Sequence, residues 1–381
     1  MRIIFLCGEM EPGRDGVGDY TRRLIGKLLD RGHQVAAVAF ADGYTGQQLA
    51  ETQHLEGNSI AVLRLPYAWP LQKRSKIAKE WIDRFDPEWI SFQFVCFSFH
   101  PKGLIFNLHK YLNLISRGRK LHVMAHELWA GEDTNFFSKE HVLGWLQKVS
   151  IRLLLNKLSF DAISTSNSFY QTCLAEIGVD AGQINIFSNL PAGNGLQTYL
   201  YDQLPEKVRQ NRSQYLLAVF FGTFSDQNSN LNIANLKFLS CSTNKTLFVT
   251  HVGRATGVND FFSKLSELLN LETHIFGECN DQDIADFFCR SDVGLSTYPK
   301  ALFEKSGSIA AMLNNGLPVL LLRDSFVANG RKIDWVEEIY KVGNLSQYIN
   351  QENTFSDNYS VSRAAEKYIR IFELSKSTHT A

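Results

Sequence analysis

The sequence predicts an α/β protein made of two doubly wound domains. Short apolar runs alternate with helix-periodic stretches along most of the chain, the pattern of parallel strands joined by crossover helices. The alternation is interrupted at residues 189–212 (NLPAGNGLQTYLYDQLPEKVRQNR), where Pro, Gly and charge gather between two sheet-like regions. At 381 residues the chain is long for one core and natural for two.

Residues 2–7 read as a buried first strand. The polar loop GEMEPGRDGVGDY follows, then a helix with Leu24, Ile25, Leu28 and Leu29 at helical spacing, broken at Gly32 before a strand over 35–40. Further strands are expected at 60–65, 89–94, 121–125, 161–165 and 184–187, with helices at 76–85, 104–115, 142–158 and 168–177 between most of them. After the break the alternation resumes. Strands are expected at 215–221, 247–252, 273–276, 293–298 and 319–322, and helices at 230–239, 258–269, 282–289 and 308–313. A last amphipathic helix is carried by Ala365, Tyr368, Ile369 and Phe372. Each half is a Rossmann-like domain, with boundaries expected at 1–195 and 196–360, and with 361–381 as the final helix plus a polar tail.

Composition narrows the function. Lys plus Arg equals Asp plus Glu at 39 each, so no global field steers the chain toward nucleic acid, and no nucleic-acid partner is expected. Six cysteines form no CxxC pair and no zinc-like cluster, which suits reduced thiols in a cytoplasmic protein. The first apolar run is too short for a signal-peptide core, and no run is long enough to span a bilayer. Any membrane contact would be peripheral, on the inner face.

Four loops at the ends of expected strands carry chemistry. In the first, Gly16-Val17-Gly18 lacks the third glycine of a dinucleotide fingerprint, and Asp19 before the helix would repel a pyrophosphate unless it caps, so a nicotinamide site is not expected. The second, QFVCFSFHPKG, holds Gln93, His100 and Lys102; the third, HELWAGED, holds His126, Glu127 and Trp129 but lacks the second His of a zincin. A His at a strand end is also well accounted for as a residue tied to backbone. The fourth lies within residues 292–323, a single βαβ unit: an apolar strand ending at Pro299, a loop with Lys300, Glu304 and Lys305, then Ser306-Gly307-Ser308 opening an apolar helix closed by Gly316. A helix N-terminus beside small residues at the carboxyl end of a strand favours an anion. Read without context, Glu304 is a solvated residue of a sheet element.

This stretch resembles the donor-sugar loop of family-four-like glycosyltransferases of the GT-B class, through Glu304, Gly307 and Gly316-Leu317-Pro318-Val319. The first loop resembles that family's Gly-Gly-Val-Gly segment, and His126-Glu127-Leu128-Trp129 resembles its His-Asp-Leu-Trp type loop. The resemblance implies a GT-B fold, two Rossmann-like domains facing a central cleft, with the last helix crossing back to the first domain. It implies Glu304 and His126 as catalytic residues on the donor sugar, facing each other across that cleft. Gly16, Gly18, Gly222, Arg254, Lys305, Ser306 and Gly307 would hold the donor, and Gln93, His100, Glu127 and Trp129 would face the acceptor.

Two family features are absent. The second Glu of the donor motif is replaced, by Met312 or Ala311 depending on the end from which one counts, and no Arg follows Gly222. Arg254 and Lys305 are the basic residues that could substitute on the diphosphate, a surface salt bridge being the other account of Arg254. Asp281-Gln282-Asp283 has the form of a metal-binding Asp-x-Asp, yet it precedes the apolar-periodic Ile284, Phe287 and Phe288. A helix N-cap with a first-turn acid is the better account, and no metal or other cofactor is expected.

The reading is therefore a glycosyltransferase, retaining by resemblance and metal-independent, that moves a sugar from a nucleotide-sugar donor to a hydroxyl of a glycan, lipid-linked or small-molecule acceptor. The rival is a non-catalytic GT-B-like subunit that binds a sugar nucleotide or a partner protein, which the two missing features favour.

Overall fold

The computed structural model describes residues 1–130, 139–222, 229–322, 339–341 and 357–377. Gly131, Glu132 and Asp133 of the third loop, Thr223 and Phe224 after Gly222, Arg323 and the residues beyond 377 lie outside it. The chain divides into two compact units, Met1–Asn185 with Val361–Ala381, and Ile186–Ser360.

The first unit is built on an eight-stranded sheet: β1 (Arg2–Cys7), β2 (Gln34–Asp42), β3 (Leu49–Leu55), β4 (Asn58–Pro66), β5 (Trp89–Val95), β6 (Lys120–Glu127), β7 (Ala162–Thr165) and β8 (Gly182–Gln183), in the order β3-β4-β2-β1-β5-β6-β7-β8. Every pairing is parallel except β3 with β4. That hairpin was not read from the sequence. β3 is an edge strand whose residues are mostly exposed or half-buried, so it lacks an apolar run, and its turn is made by Glu56 and Gly57, both with positive φ, in the manner of a type I′ turn.

The helix after β1 spans Gly16–Asp30 and is capped by Asp15, whose carboxylate accepts from Gly18 N–H at 2.7 Å. It starts before Asp19, contrary to the sequence reading: Asp19 lies in the first turn, paired with Arg22 and accepting from Gly13 N–H at 3.0 Å. The last helix, Val361–Ser377, belongs to this unit. Its Phe372 stacks on Trp89 at 4.6 Å between centroids, its Tyr368 is fully buried, and Arg31 binds Glu366 at 2.8 Å.

The second unit carries a six-stranded, wholly parallel sheet: β9 (Tyr215–Phe221), β10 (Thr246–Val252), β11 (Glu272–Gly277), β12 (Val293–Ser296), β13 (Val319–Leu321) and β14 (Ile339–Lys341), in the order β11-β10-β9-β12-β13-β14. This is the 3-2-1-4-5-6 order of a doubly wound sheet, with its switch point between β9 and β12. Central strands of such a sheet are buried on both faces and read as continuous apolar runs. β9 does so: Leu217 and Val219 pack into one core with Phe287, Phe288 and Ile309, while Leu216, Ala218 and Phe220 pack into the other with Phe261 and Leu265.

The unit begins before the boundary expected at residue 195, because the segment leading into it is fixed to its own helix Asp281–Arg290. Asp286, fully buried, accepts from the backbone N–H of Asn194 at 2.7 Å, Gly195 at 2.8 Å and Gln197 at 3.2 Å. Asn315 takes the N–H of Gly193 at 2.6 Å, and a Cβ on Gly193 would stand 2.4 Å from the Ala285 carbonyl oxygen. Helix Asp281–Arg290 is capped by Asn280, which accepts from Asp283 N–H at 2.8 Å, so Asp281 and Asp283 are its first-turn acids. The cap expected at Asp281 thus sits one residue earlier.

Candidate functional site

Two glycine-bearing segments converge at the switch point of the second sheet. β9 ends at Phe221 and the chain turns at Gly222 with φ of +75°, where a Cβ would stand 2.7 Å from Ser308 Oγ. Only glycine meets both demands without strain. Gly253, at φ of +105°, ends the neighbouring strand, and a Cβ there would come 3.2 Å from Gly222 N. On the other side β12 leads through Ser296, Thr297, Tyr298 and Pro299 to a 3₁₀ turn, Lys300–Lys305, and then to the helix Gly307–Asn314. Ser306 caps that helix, its Oγ accepting from Ile309 N–H at 3.3 Å.

Between these segments lies a cavity of about 410 Å³. It is lined by Phe220, Phe221 and Gly222 from the β9 end, by His251 on β10, by residues 295–299 from the β12 end, and by Lys305, Ser306, Gly307, Ser308 and Met312. Among the described residues no carboxylate belongs to that lining, and Lys305 contributes a cation to it. An α-helix offers no intrahelical acceptor to its first N–H groups, so those of Gly307 and Ser308 point a partial positive charge at the cavity mouth. Gly307 has open space around its Cα on the side where a side chain would stand, leaving room for a ligand atom.

His251 was not singled out from the sequence. It is 1% exposed, its Nε2 lies 3.0 Å from the Gly222 carbonyl oxygen, and burial lowers its pKa, an effect that the Gly222 bond opposes. A neutral imidazole therefore donates through Nε2 and ties β10 to the Gly222 turn. A histidine immediately before Val252-Gly253 at a strand end was the available signal.

Of the residues read from the sequence as donor-binding, Gly222, Lys305, Ser306 and Gly307 come together here. Arg254 does not. Its side chain is 82% exposed and forms an ion pair with Glu278, so the surface salt bridge, the alternative account, is what the structure shows. Glu304 is half-buried on the 3₁₀ turn next to Lys305 and is not among the lining residues. Met312 lines the cavity while Ala311, equally buried, does not, which settles which of the two occupies the cavity-facing position.

Gly16 and Gly18 lie in the first unit, in the first turn of helix Gly16–Asp30. Gly18 is required by packing, since a Cβ would stand 2.8 Å from the Glu9 carbonyl oxygen; Gly16 has nothing within 4 Å. The surroundings of this helix start are acidic. Burial raises the pKa of Asp15 against hydrogen bonds from Gly18 and Val17, with Asp19 and Glu127 adding to the rise, and burial likewise raises Glu9, with Asp15 and Asp42 adding.

His126 and Gln93, expected on different partners, are bonded to each other: His126 Nε2 lies 2.8 Å from Gln93 Oε1, with the two residues 4% and 1% exposed. Gln93 therefore spends its amide inside the unit rather than on an acceptor. His100 is tied to backbone, its Nδ1 accepting from the N–H groups of Lys102 and Leu104, each at 3.2 Å. Trp129 is 7% exposed with the Lys148 ammonium 5.0 Å from its ring centroid, and Glu127 is half-buried at the end of β6. Among the described residues no group of three or more His, Cys, Asp or Glu side chains is arranged to hold a metal ion. No described helix is long and apolar enough to cross a membrane.

No protein-family model matches the chain. No curated protein matches it either. Solved structures do. Anabaena Alr3699/HepE in complex with UDP aligns over 99% of both chains at 19% identity with a TM-score of 0.55. A glycosyltransferase from Rickettsia africae ESF-5 aligns over 100% of this chain and 99% of that one at 12% identity with a TM-score of 0.56. A putative UDP-N-acetylglucosamine 2-epimerase from Listeria monocytogenes aligns over 100% and 97% at 12% identity with a TM-score of 0.53. The fold is thus that of the GT-B class, with two Rossmann-like units, and the resemblance read from the sequence holds at that level. At these identities the likeness shows the fold alone, which transferases and an epimerase share.

Proposed function

We propose that the chain is a glycosyltransferase that takes a sugar from a nucleoside diphosphate donor and passes it to an acceptor hydroxyl. The observation that carries this reading is the cavity at the β9/β12 switch point, where Lys305 and the N-terminus of helix Gly307–Asn314 meet. Doubly wound sheets bind ligands at that position, and helix N-termini with a lysine suit phosphate oxygens. UDP is bound by HepE, which shares the fold. In this reading Gly222 lets backbone approach the ligand, and Lys305 with the Gly307 and Ser308 N–H groups takes up charge as the diphosphate leaves. Glu304, beside Lys305, contacts sugar hydroxyls, as the resemblance assigns, and His126 keeps the role on the sugar that the resemblance gives it. Glu127 and Trp129 remain assigned to the acceptor, a glycan, lipid-linked or small-molecule hydroxyl compound. Retention follows the resembling families. The diphosphate charge is met by helix and lysine, so the reaction is metal-independent.

Arg254 in a surface ion pair and Met312 in the cavity keep a second reading in view, a subunit that binds a sugar nucleotide without turnover. A donor-consumption assay over a panel of UDP-, ADP-, GDP- and dTDP-sugars, with and without candidate acceptors, separates the two. Acceptor-dependent release of nucleoside diphosphate supports transfer. Binding with no release supports the second reading, and interconversion of donor epimers without release would replace both.

A further inference from the structure

Helix Leu71–Phe85, which follows the carboxyl end of β4, starts with charge of the wrong sign for its own stability. A helix N-terminus favours acids, yet residues 65–79 hold Lys73, Arg74, Lys76 and Lys79 and no Asp or Glu. Lys79 is taken by Asp83 at 2.5 Å, one turn further on. Pro70 stands at the N-cap and makes no side-chain cap bond, so it gives the first N–H groups of the helix no side-chain acceptor. Lys73 and Lys76 are exposed, with the Lys73 ammonium 3.1 Å from the centroid of the Trp69 ring.

Arg74 is the buried member of this group, at 4% exposed. Its Nη1 donates to the Phe40 carbonyl oxygen at 2.9 Å, at the end of β2, and its guanidinium carbon lies 5.3 Å from the Phe40 ring centroid and 5.7 Å from that of Tyr67. Its Nε is buried without a hydrogen-bond partner; Nη2 bonds to no described residue either but is not enclosed, so a ligand has access to it. Burial lowers the pKa of Arg74, with Tyr67 opposing, and no carboxylate among the described residues bears on it. Asp42, two residues beyond Phe40, is spent elsewhere: Arg64 takes its carboxylate through Nε at 2.8 Å and Nη2 at 3.1 Å, and the Tyr44 N–H donates to it at 2.8 Å. A buried charge is costly unless it is paired, and two aromatic faces and a carbonyl offset only part of that cost.

We propose that this end of the first sheet binds an oxyanion carried by the acceptor, a phosphate or carboxylate group on a sugar. Arg74 is the charge that holds the oxyanion, as guanidinium suits phosphate and carboxylate alike. The uncapped helix start, Lys73 and Lys76 add positive potential at its approach. Tyr67, 38% exposed and beside the guanidinium, offers an apolar face to the sugar. The carboxyl ends of β2 and β4 are where a parallel sheet presents its ligands. The proposal rests on the glycosyl-transfer reading for the ligand's role as acceptor, and not for the anion site itself.

The test uses full-length protein labelled with ¹⁵N-arginine and follows the Nε–H correlation of Arg74, assigned by its loss in Arg74→Lys. Glucose 6-phosphate and glucuronate are titrated in, with glucose as the neutral control and UDP present to fill the cavity of the second unit. The Arg74 signal should move saturably with at least one of the two anions and stay still with glucose; the anion that moves it at lower concentration tells phosphate from carboxylate. Saturation-transfer spectra of the same sugars give affinities in variants. Arg74→Gln should weaken the bound anion by about tenfold or more, the worth of a charge-assisted hydrogen bond. Lys73→Glu alters an exposed side chain and keeps the fold. An acid at the helix start should raise the thermal midpoint while weakening the anion by about two- to fivefold, whereas a purely structural cluster would give the first effect without the second. An Arg74 signal unmoved by both anions, or moved as much by glucose, overturns the proposal, and so does undiminished anion affinity in both variants. Anion binding as expected in a protein that shows no acceptor-dependent release of nucleoside diphosphate counts against glycosyl transfer and leaves the anion site standing. Transfer to neutral acceptors with a silent Arg74 signal does the reverse.

Discussion

Replacing Gly222 by alanine probes the cradle formed where β9 meets the helix N-terminus, and the structure separates two costs. The first is conformational: at φ of +75° an L-residue loses about 1–2 kcal/mol relative to glycine, whatever its surroundings. The second is contact. A Cβ at residue 222 would stand 2.7 Å from Ser308 Oγ but 3.9 Å from Ser308 Cβ, an ordinary contact distance. Overpacking of this kind costs about 1–3 kcal/mol, toward the lower end here because a hydroxyl can rotate. Gly222→Ala alone should then lose about 2–4 kcal/mol in equilibrium urea unfolding, the sum of the two costs. In a Ser308→Ala background the same change should lose only the conformational part, a coupling of about 1 kcal/mol or more between neighbours. UDP affinity should fall in Gly222→Ala and be partly restored in the double variant. Equal losses in the two backgrounds would show that the Gly222 turn does not rest on Ser308. No loss in either would show that the turn lacks the left-handed conformation, and the cradle would fail with it.

Other predictions concern the same unit. Met312→Glu places an acceptor on the cavity wall and should make the protein prefer UDP over its 2′-deoxy analogue by about tenfold or more, the scale of one charge-assisted hydrogen bond; equal affinities would place the ribose elsewhere. Burial alone would push the Asp286 carboxyl up, but the N–H groups of Asn194, Gly195 and Gln197 and the Gln282 amide hold it below its ordinary value. Its stabilisation is therefore complete above about pH 4 and is lost as pH falls through the depressed folded value. Asp286→Asn should cost about 1–3 kcal/mol at pH 7, and the gap to wild type should narrow in acid; a gap independent of pH would refute the assignment. Because Asp281 and Asp283 are first-turn acids of a helix capped by Asn280, EDTA should leave turnover intact, and activity lost on chelation and restored by Mg²⁺ or Mn²⁺ would overturn metal independence.

Much of the second unit was legible because its strands are buried on both faces. The apolar run of β9 states its own limits, and β12, the Ser306 cap and the Gly316 stop mark the βαβ unit by local chemistry alone. Features that depend on spatial partners were less legible. β3 is half-exposed at an edge and has no apolar run to announce it. The start of the first helix was misplaced because Asp15 and Asp19 are both plausible caps until backbone geometry chooses. Arg254 follows a glycine at a strand end, as a phosphate ligand would, yet Glu278 at the end of the adjoining strand takes it. Gln93 and His126 were recognised as unusual polar residues at strand ends, but the bond between them follows from the register of β5 against β6, which no single segment reveals.

The central claim is that a nucleoside diphosphate is held at the β9/β12 switch point by Lys305 and the helix N-terminus, and calorimetric titration of UDP tests it most directly. Lys305→Ala should weaken UDP by about ten- to a hundredfold, the worth of one charge-assisted hydrogen bond to a phosphate oxygen, while Arg254→Ala should leave the affinity within about twofold of wild type. Undiminished binding in Lys305→Ala, with the loss appearing in Arg254→Ala instead, would contradict it.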